Sequence, residues 1–188
     1  MASSSRNNFP RAVSLDRKSF DVRWMKAGDG ARLLAFARSL DEDDLLFLRM
    51  DLTRQDAVDD FVRQIEDGSR VALIAERDGK MVAYGSLNRR PANWQRHLGE
   101  IRTVVSKSER GSGLGRFLAE QMFATARDMG LTKIVAQMAR EQDGARRMFQ
   151  RLGFVAEALL ADWIQDRDGK QHDLVLMSYD VTSLTESG

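Results

Sequence analysis

The chain has no cysteine in 188 residues, which excludes disulfides, thiolate metal sites and a cysteine nucleophile. Its two histidines are too few for a histidine-based metal centre, so a metal-free protein is expected. No apolar run approaches the ~20 residues that span a bilayer, so no membrane partner is expected and the anticipated location is cytoplasmic. Neither sign of charge dominates. Lysines and arginines number 29 against 28 acids, a formal net charge of +1, and no sequence-wide field points to nucleic acid. Any recognition of charge has to be local.

Hydrophobic residues make up 43% of the chain, and this length suits one domain with a sizeable core. Residues 1–20 carry Ser3, Ser4, Ser5, Asn7, Asn8 and Pro10 with little periodicity and are expected to be a disordered tail. The folded domain is expected over 21–182, with a short tail at 183–188. Val22–Met25 reads as a first strand and Ala31–Leu40 as a helix capped by Asp29. A second helix carries the stripe Ala57, Val58, Phe61, Val62 and Ile65 and closes near Gly68. Val71–Ala75 and Met81–Leu87 flank Arg77-Asp78-Gly79-Lys80, the composition of a hairpin turn.

Gly99–Val105 is the fourth predicted strand. After it come Arg110, Gly111, Ser112, Gly113, Leu114, Gly115 and Arg116, and then apolar residues at helical spacing: Phe117, Leu118, Met122, Ala126 and Met129. A strand, a glycine loop and a helix start together make an anion cradle. Glycines let backbone approach a bulky phosphate, the first-turn N–H groups face the loop, and Arg110 and Arg116 add cationic support. The phosphate ligand is narrowed by spacing. A P-loop needs a lysine after its last glycine, and none follows Gly115. A dinucleotide fingerprint needs an acid roughly 20 residues on, yet the next strand, Thr132–Met138, ends without one.

The segment resembles the coenzyme A loop of the GNAT superfamily of N-acyltransferases, Gln/Arg-x-x-Gly-x-Gly/Ala after a hydrophobic strand. Arg110, Gly113 and Gly115 fill its fixed places. A second likeness lies at Gln142–Phe154, where the family pattern is Asn-x-x-Ala-x-x-Leu-Tyr-x-Lys-x-Gly-Phe. Ala145, Gly153 and Phe154 match, Met148 and Arg151 are conservative, and Gln142 and Phe149 depart. The resemblance runs from Val22 to Val181. It implies an α/β fold of GNAT type: a mixed seven-stranded sheet flanked by helices on both faces, completed by a helix over Glu141–Arg151, a sixth strand from Phe154 and a seventh over His172–Tyr179.

The same resemblance implies acetyl-CoA as cosubstrate, lying where the fourth and fifth strands splay apart. Thr103, Val104 and Val105 would offer main-chain groups to the pantetheine and thioester. Residues Arg110–Arg116 would bind the pyrophosphate, and Gln142 and Phe149 would line the pantetheine arm. A main-chain N–H near Val104 or Val105 would stabilise the oxyanion, a contribution of ~3 kcal/mol when aligned. An alkylammonium of pKa near ~10.4 must lose a proton before it attacks, and Glu100 is the nominated base. Phe149 stands where relatives often carry a tyrosine that protonates the thiolate. Water, the substrate or one of the two tyrosines, Tyr84 and Tyr179, would take that role.

The expected activity is transfer of an acetyl group from acetyl-CoA to a primary amine by direct attack in a ternary complex. The amine would belong to a small molecule, a protein lysine or an N-terminus, with homodimerisation left open. The alternative, prompted by Phe149, is a catalytically weak acyl-CoA-binding sensor. Two charge clusters bear on the acceptor. Asp41, Glu42, Asp43 and Asp44 suit a cationic amine such as a polyamine, whereas Arg89, Arg90 and Arg96, interleaved with Trp94 and His97, suit a carboxylate or a planar group.

Overall fold

The computed structural model describes residues 8–45, 48–89 and 94–184. In chain order the elements are β1 (Arg11–Leu15), β2 (Lys18–Trp24), α1 (Gly30–Arg38), α2 (Glu42–Leu45), α3 (Gln55–Glu66), β3 (Arg70–Arg77), β4 (Lys80–Arg89) and β5 (Leu98–Val105), followed by α4 (Leu114–Asp128), β6 (Lys133–Ala139), α5 (Asp143–Arg151), β7 (Val155–Gln165) and β8 (Gln171–Asp180). They build one eight-stranded sheet in the order β1-β2-β3-β4-β5-β6-β8-β7. Every neighbouring pair is antiparallel except β5 and β6, which run parallel through the α4 crossover.

Alternation along the central strands explains why both faces are covered. On β3, Leu73 and Ala75 enter a core built with α4 and α5, while Ala72 and Ile74 enter a second core built with α1 and α3. The first core holds Leu114, Leu118, Met122, Ile101, Ile134 and Phe149. The second holds Leu33, Phe36, Val58, Phe61 and Tyr84. Helix α4 lies so close to β4 that a Cβ on Gly85 would come within 2.9 Å of the Leu118 Cβ, which is the reason a strand interior carries glycine there.

The sheet has one strand more than the sequence predicts. The extra one, β1, falls in the segment read as a disordered tail, and β2 starts at Lys18 rather than Val22. The two are joined through Asp16 and Arg17, at φ 45° and 62°, between the paired residues Leu15 and Lys18. Both central residues of this tight turn are left-handed, as in a type I′ hairpin, but neither is glycine or asparagine, so the usual signal is missing. At the β3–β4 hairpin the same geometry is built from Asp78 and Gly79 and was legible. At the other end, Val181–Leu184 forms a 3-10 turn where a tail from 183 was expected. The remaining tail assignments, 1–7 and 185–188, lie outside the described residues. No described helix is long and apolar enough to cross a membrane.

Candidate active site

The predicted fourth and fifth strands, β5 and β6, pair only over Leu98–Glu100 against Lys133–Val135. Beyond Glu100 the two strands part, so residues 101–105 and 136–139 flank an open wedge. Two hydrogen bonds fix which backbone groups face it. Ser106 donates its N–H to Val82 on the β4 side (2.9 Å), and the His97 carbonyl accepts from Thr132 on the β6 side (3.1 Å). Main-chain groups of an extended strand alternate between edges, so Thr103 and Val105 turn N–H and C=O toward the wedge. Val104 turns its own toward β4, where it is registered with Tyr84, and its side chain packs on the second core. The expectation that Val104 offers main-chain groups to a ligand in the wedge is therefore corrected. Thr103 and Val105 are the residues whose main-chain groups face it.

The glycine loop closes the wide end of this wedge. Gly111 and Gly113 have φ of 81° and 85°, a region that disfavours L side chains, and no atom lies within 4 Å of where their Cβ would be. Gly113 is the N-cap of α4. Among the described residues, the N–H groups of Gly111, Ser112, Gly113, Gly115 and Arg116 have no protein acceptor. A row of unopposed amides above open space at the positive end of a fifteen-residue helix fits a diphosphate.

Side chains of this segment do other work. Ser112 is buried, donates to the Glu109 carbonyl (2.7 Å) and accepts from the Leu114 N–H (3.4 Å), stitching the turn together. Leu114 is a fully buried core residue, so only its backbone belongs to the loop. Arg116 pairs with Glu120 one turn along the helix (2.8 Å). Arg110 reaches the Val105 carbonyl (3.4 Å) and forms an ion pair with buried Asp44. Lys107 likewise pairs with Asp41 (3.1 Å). Two members of the acidic run read as a lure for cationic amines are thus spent on the cations beside the glycine loop.

Two further nominated residues sit differently from expectation. The side-chain oxygen of Gln142 turns back to accept the Ala139 N–H (3.0 Å), ending β6 and starting α5 two residues later than predicted. Phe149 is buried edge-to-face against Phe154, with ring centroids 4.9 Å apart. It packs the first core.

On the opposite face of the sheet a cavity of about 180 Å³ opens beside the fork of β5 and β6. Glu100, at the fork, lines it together with Tyr84, Arg70, Arg102 and Arg49. Burial pushes the Glu100 carboxyl upward in pKa, but the hydrogen bond from Arg49 and the charge of Arg102, 3.5 Å away, outweigh it and leave the group below the usual carboxylate range. Arg49 and Arg102 thus bracket the Glu100 carboxylate. Tyr84 is fully buried, and burial raises its phenol. The other tyrosine, Tyr179, packs on Phe123 and Phe154 in the first core. The arginine cluster seen in the sequence is elsewhere: Trp94, Arg96 and His97 are exposed, Arg89 reaches the Gly68 carbonyl (3.2 Å), and Arg90 lies outside the described residues.

A parted parallel strand pair feeding a glycine-capped helix is the arrangement the sequence motif implied, and residues 23–154 match the model of the acetyltransferase (GNAT) family. The chain belongs to the GNAT family. Among curated relatives, the L-amino acid N-acyltransferase MnaT of Escherichia coli is 30% identical over 119 residues, a match spanning 61% of this chain and 66%, just under two thirds, of that protein. Similar solved structures include yncA of Salmonella typhimurium with its cofactor acetyl-CoA (TM-score 0.74, 21% identity, 87% of this chain, 95% of that one). The spermidine N-acetyltransferase of Vibrio cholerae, in complex with CoA and spermine, superposes with a TM-score of 0.71 at 17% identity, over 87% of this chain and 96% of that one. These two likenesses establish the fold. Among the described residues no cluster of histidine, aspartate and glutamate is arranged to hold a metal ion.

Proposed function

We propose that this protein transfers an acetyl group from acetyl-CoA to a primary amine by direct attack within a ternary complex. One observation carries the reading: the wedge between β5 and β6 has unopposed loop amides at its mouth and a carboxylate-bearing cavity at its fork. The amides of Gly111, Ser112, Gly113, Gly115 and Arg116 would hold the diphosphate, and the wedge-facing groups of Thr103 would pair with the amide-rich pantetheine arm. The Val105 N–H is the backbone donor for charge developing on the thioester oxygen. Acyl-CoA supplies an activated thioester whose leaving thiol, with a pKa near ~8.5, departs without a dedicated side-chain acid.

Glu100 acts on the amine from the other face. Its depressed pKa keeps it ionised at neutral pH, so it attracts the ammonium and accepts its proton, directly or through one water. A carboxylate this weakly basic does not hold that proton strongly, and it passes on to solvent. The likeness to an L-amino acid N-acyltransferase supports a small amine as acceptor, and the narrow cavity supports it independently.

The test is release of free thiol from acetyl-CoA across a panel of small amines, amino acids and lysine peptides, run alongside calorimetry with CoA. Turnover on at least one amine, with acetylated product confirmed by mass, is the expected result. Tight CoA binding without turnover on any of them would instead mark the chain as an acyl-CoA-binding module. Absence of CoA binding would overturn both readings.

A further inference from the structure

Arg70 begins β3, is 8% exposed, and has no carboxylate within ion-pairing distance among the described residues. Its partners are all neutral. Nε donates to Gln64 Oε1 (2.9 Å), one terminal nitrogen meets Ser86 Oγ at 3.4 Å, and the other has only the Met50 sulfur at 3.9 Å. The guanidinium stacks on the Phe61 ring, 4.2 Å from its centroid. Other buried charges here are matched: Asp29 by Arg23, Glu109 by Lys18 and Arg77, Asp44 by Arg110. A guanidinium cannot shed its proton to escape burial as a lysine does, so a cation left without a counter-ion is a standing cost to the fold. Burial lowers its proton affinity most; Tyr84 and Glu100 act against that, and Arg102 and Arg49 act with it.

The same cavity holds Arg49, Arg70 and Arg102 against one acid, Glu100, which Arg49 and Arg102 already engage. Its surplus is positive. That disfavours a polyamine and favours an anion beside the amine. We infer that Arg70 is the binding site for a carboxylate on the acceptor, making the substrate a compact amino acid held with its amine at Glu100 and its carboxylate on the Arg70 fork. Each terminal nitrogen keeps an N–H beyond its single weak contact, and a planar fork matches a carboxylate through two such bonds. The stack on Phe61 and the bond to Gln64 hold that fork in place before the ligand arrives. The cavity is smaller than the ~300–1,000 Å³ typical of drug-sized ligands, in keeping with an acceptor of a few heavy atoms.

The inference rests on the acetyl-transfer reading, and its test separates the two. Calorimetry on the protein saturated with CoA measures binding of an amino acid and of its decarboxylated amine, without requiring any turnover. Thiol release then compares the same pairs as substrates. The expected result is at least a 50-fold preference for the amino acid. Arg70→Gln should erase that preference, chiefly through KM for the amino acid, while leaving CoA affinity within threefold of wild type. Arg70→Lys keeps the charge without the fork and should recover only part. Melting temperature supplies the control: removing a cation that lacks a counter-ion should not lower it, whereas a purely structural Arg70 would. Equal binding of amino acid and amine to the wild type, or equal losses on both in Arg70→Gln, overturns the assignment even if acetyl transfer itself is confirmed. Failure of CoA to bind would overturn the acetyl-transfer reading while leaving amino-acid binding to be judged on the unliganded protein by the same pair.

Discussion

Gly113 offers the sharpest way to separate loop conformation from loop function. Any L residue placed there bears a left-handed φ of 85°, a cost of about 1–2 kcal/mol, whether its side chain is short or long. Nothing lies within 4 Å of the added Cβ, so neither alanine nor glutamate clashes with the protein. Gly113→Ala and Gly113→Glu therefore share the strain but differ in what they put over the free amides. A glutamate carboxylate about 5 Å from a bound diphosphate, at an effective dielectric of about 20, opposes each unit of its charge by about 3 kcal/mol. That corresponds to about a 100-fold loss in Kd per unit charge, before counting the space the side chain takes. Calorimetry with CoA on both variants, each first shown to be folded by circular dichroism, reads the difference directly. The expectation is a Kd at least about 100-fold weaker for Gly113→Glu than for Gly113→Ala. Equal affinities in two folded variants would mean that the diphosphate does not lie over this loop, and the cradle argument would fail.

Three other outcomes follow from side chains at defined positions. Glu100→Gln should lower kcat/KM by about 10²–10⁴ near neutral pH, with the deficit shrinking toward pH ~10 as the amine loses its proton unaided; a wild-type-to-variant ratio constant from pH 6 to 10 would clear Glu100 of proton transfer. Gly85→Ala should cost about 1–3 kcal/mol because its Cβ meets Leu118 at 2.9 Å, which differential scanning would register as a fall of several degrees in Tm, and an unchanged Tm would show that α4 retreats freely. His172 is wedged between Asp166 (2.9 Å) and Glu141 (3.2 Å), in that order the causes that raise its pKa above the ordinary ~6.5. A raised folded value means its stabilisation is complete below pH ~6.5 and is lost as pH climbs through that value, so Tm of His172→Gln should depend less on pH above ~6.5 than wild type does. Parallel Tm–pH curves for the two proteins would refute it.

The half of the site assigned to the cosubstrate left a motif in the sequence because it is built from backbone, and backbone demands leave local marks. Gly111, Gly113 and Gly115 alternate where left-handed or close-packed residues are needed, and Leu114, Leu118, Met122 and Ala126 recur at helical spacing immediately after. The parallel β5–α4–β6 crossover follows from those signals. Strand β1 was missed because Asp16 and Arg17 adopt positive φ without being glycine. Alternation within β5 also lay beyond the motif. Only a pairing partner decides whether Val104 or its neighbours face the wedge, and that partner, Val82 for Ser106, is 24 positions away in sequence.

The acceptor half was hidden for a different reason. Arg70 stands at the start of a predicted strand, where a charged residue reads as a solvated boundary. It becomes a cavity residue only because register sets Arg70 opposite Asn88, Asn88 opposite Glu100 and Ser86 opposite Arg102. Three strands thus bring scattered polar residues to one face, while the conspicuous clusters disperse. The Asp41–Asp44 run sends acids to Lys107 and Arg110, and Arg96 stays in solvent. The cradle asks for unopposed amides, which many side chains tolerate nearby, so a short motif is enough to mark it in a sequence. Acceptor choice asks for particular charges at particular points, and those can be exchanged one strand residue at a time without disturbing the cradle across the sheet. The wedge beyond Glu100 is where the two faces meet, so changes in the Arg70 cavity should alter which amine arrives there while leaving the hold on the thioester donor intact.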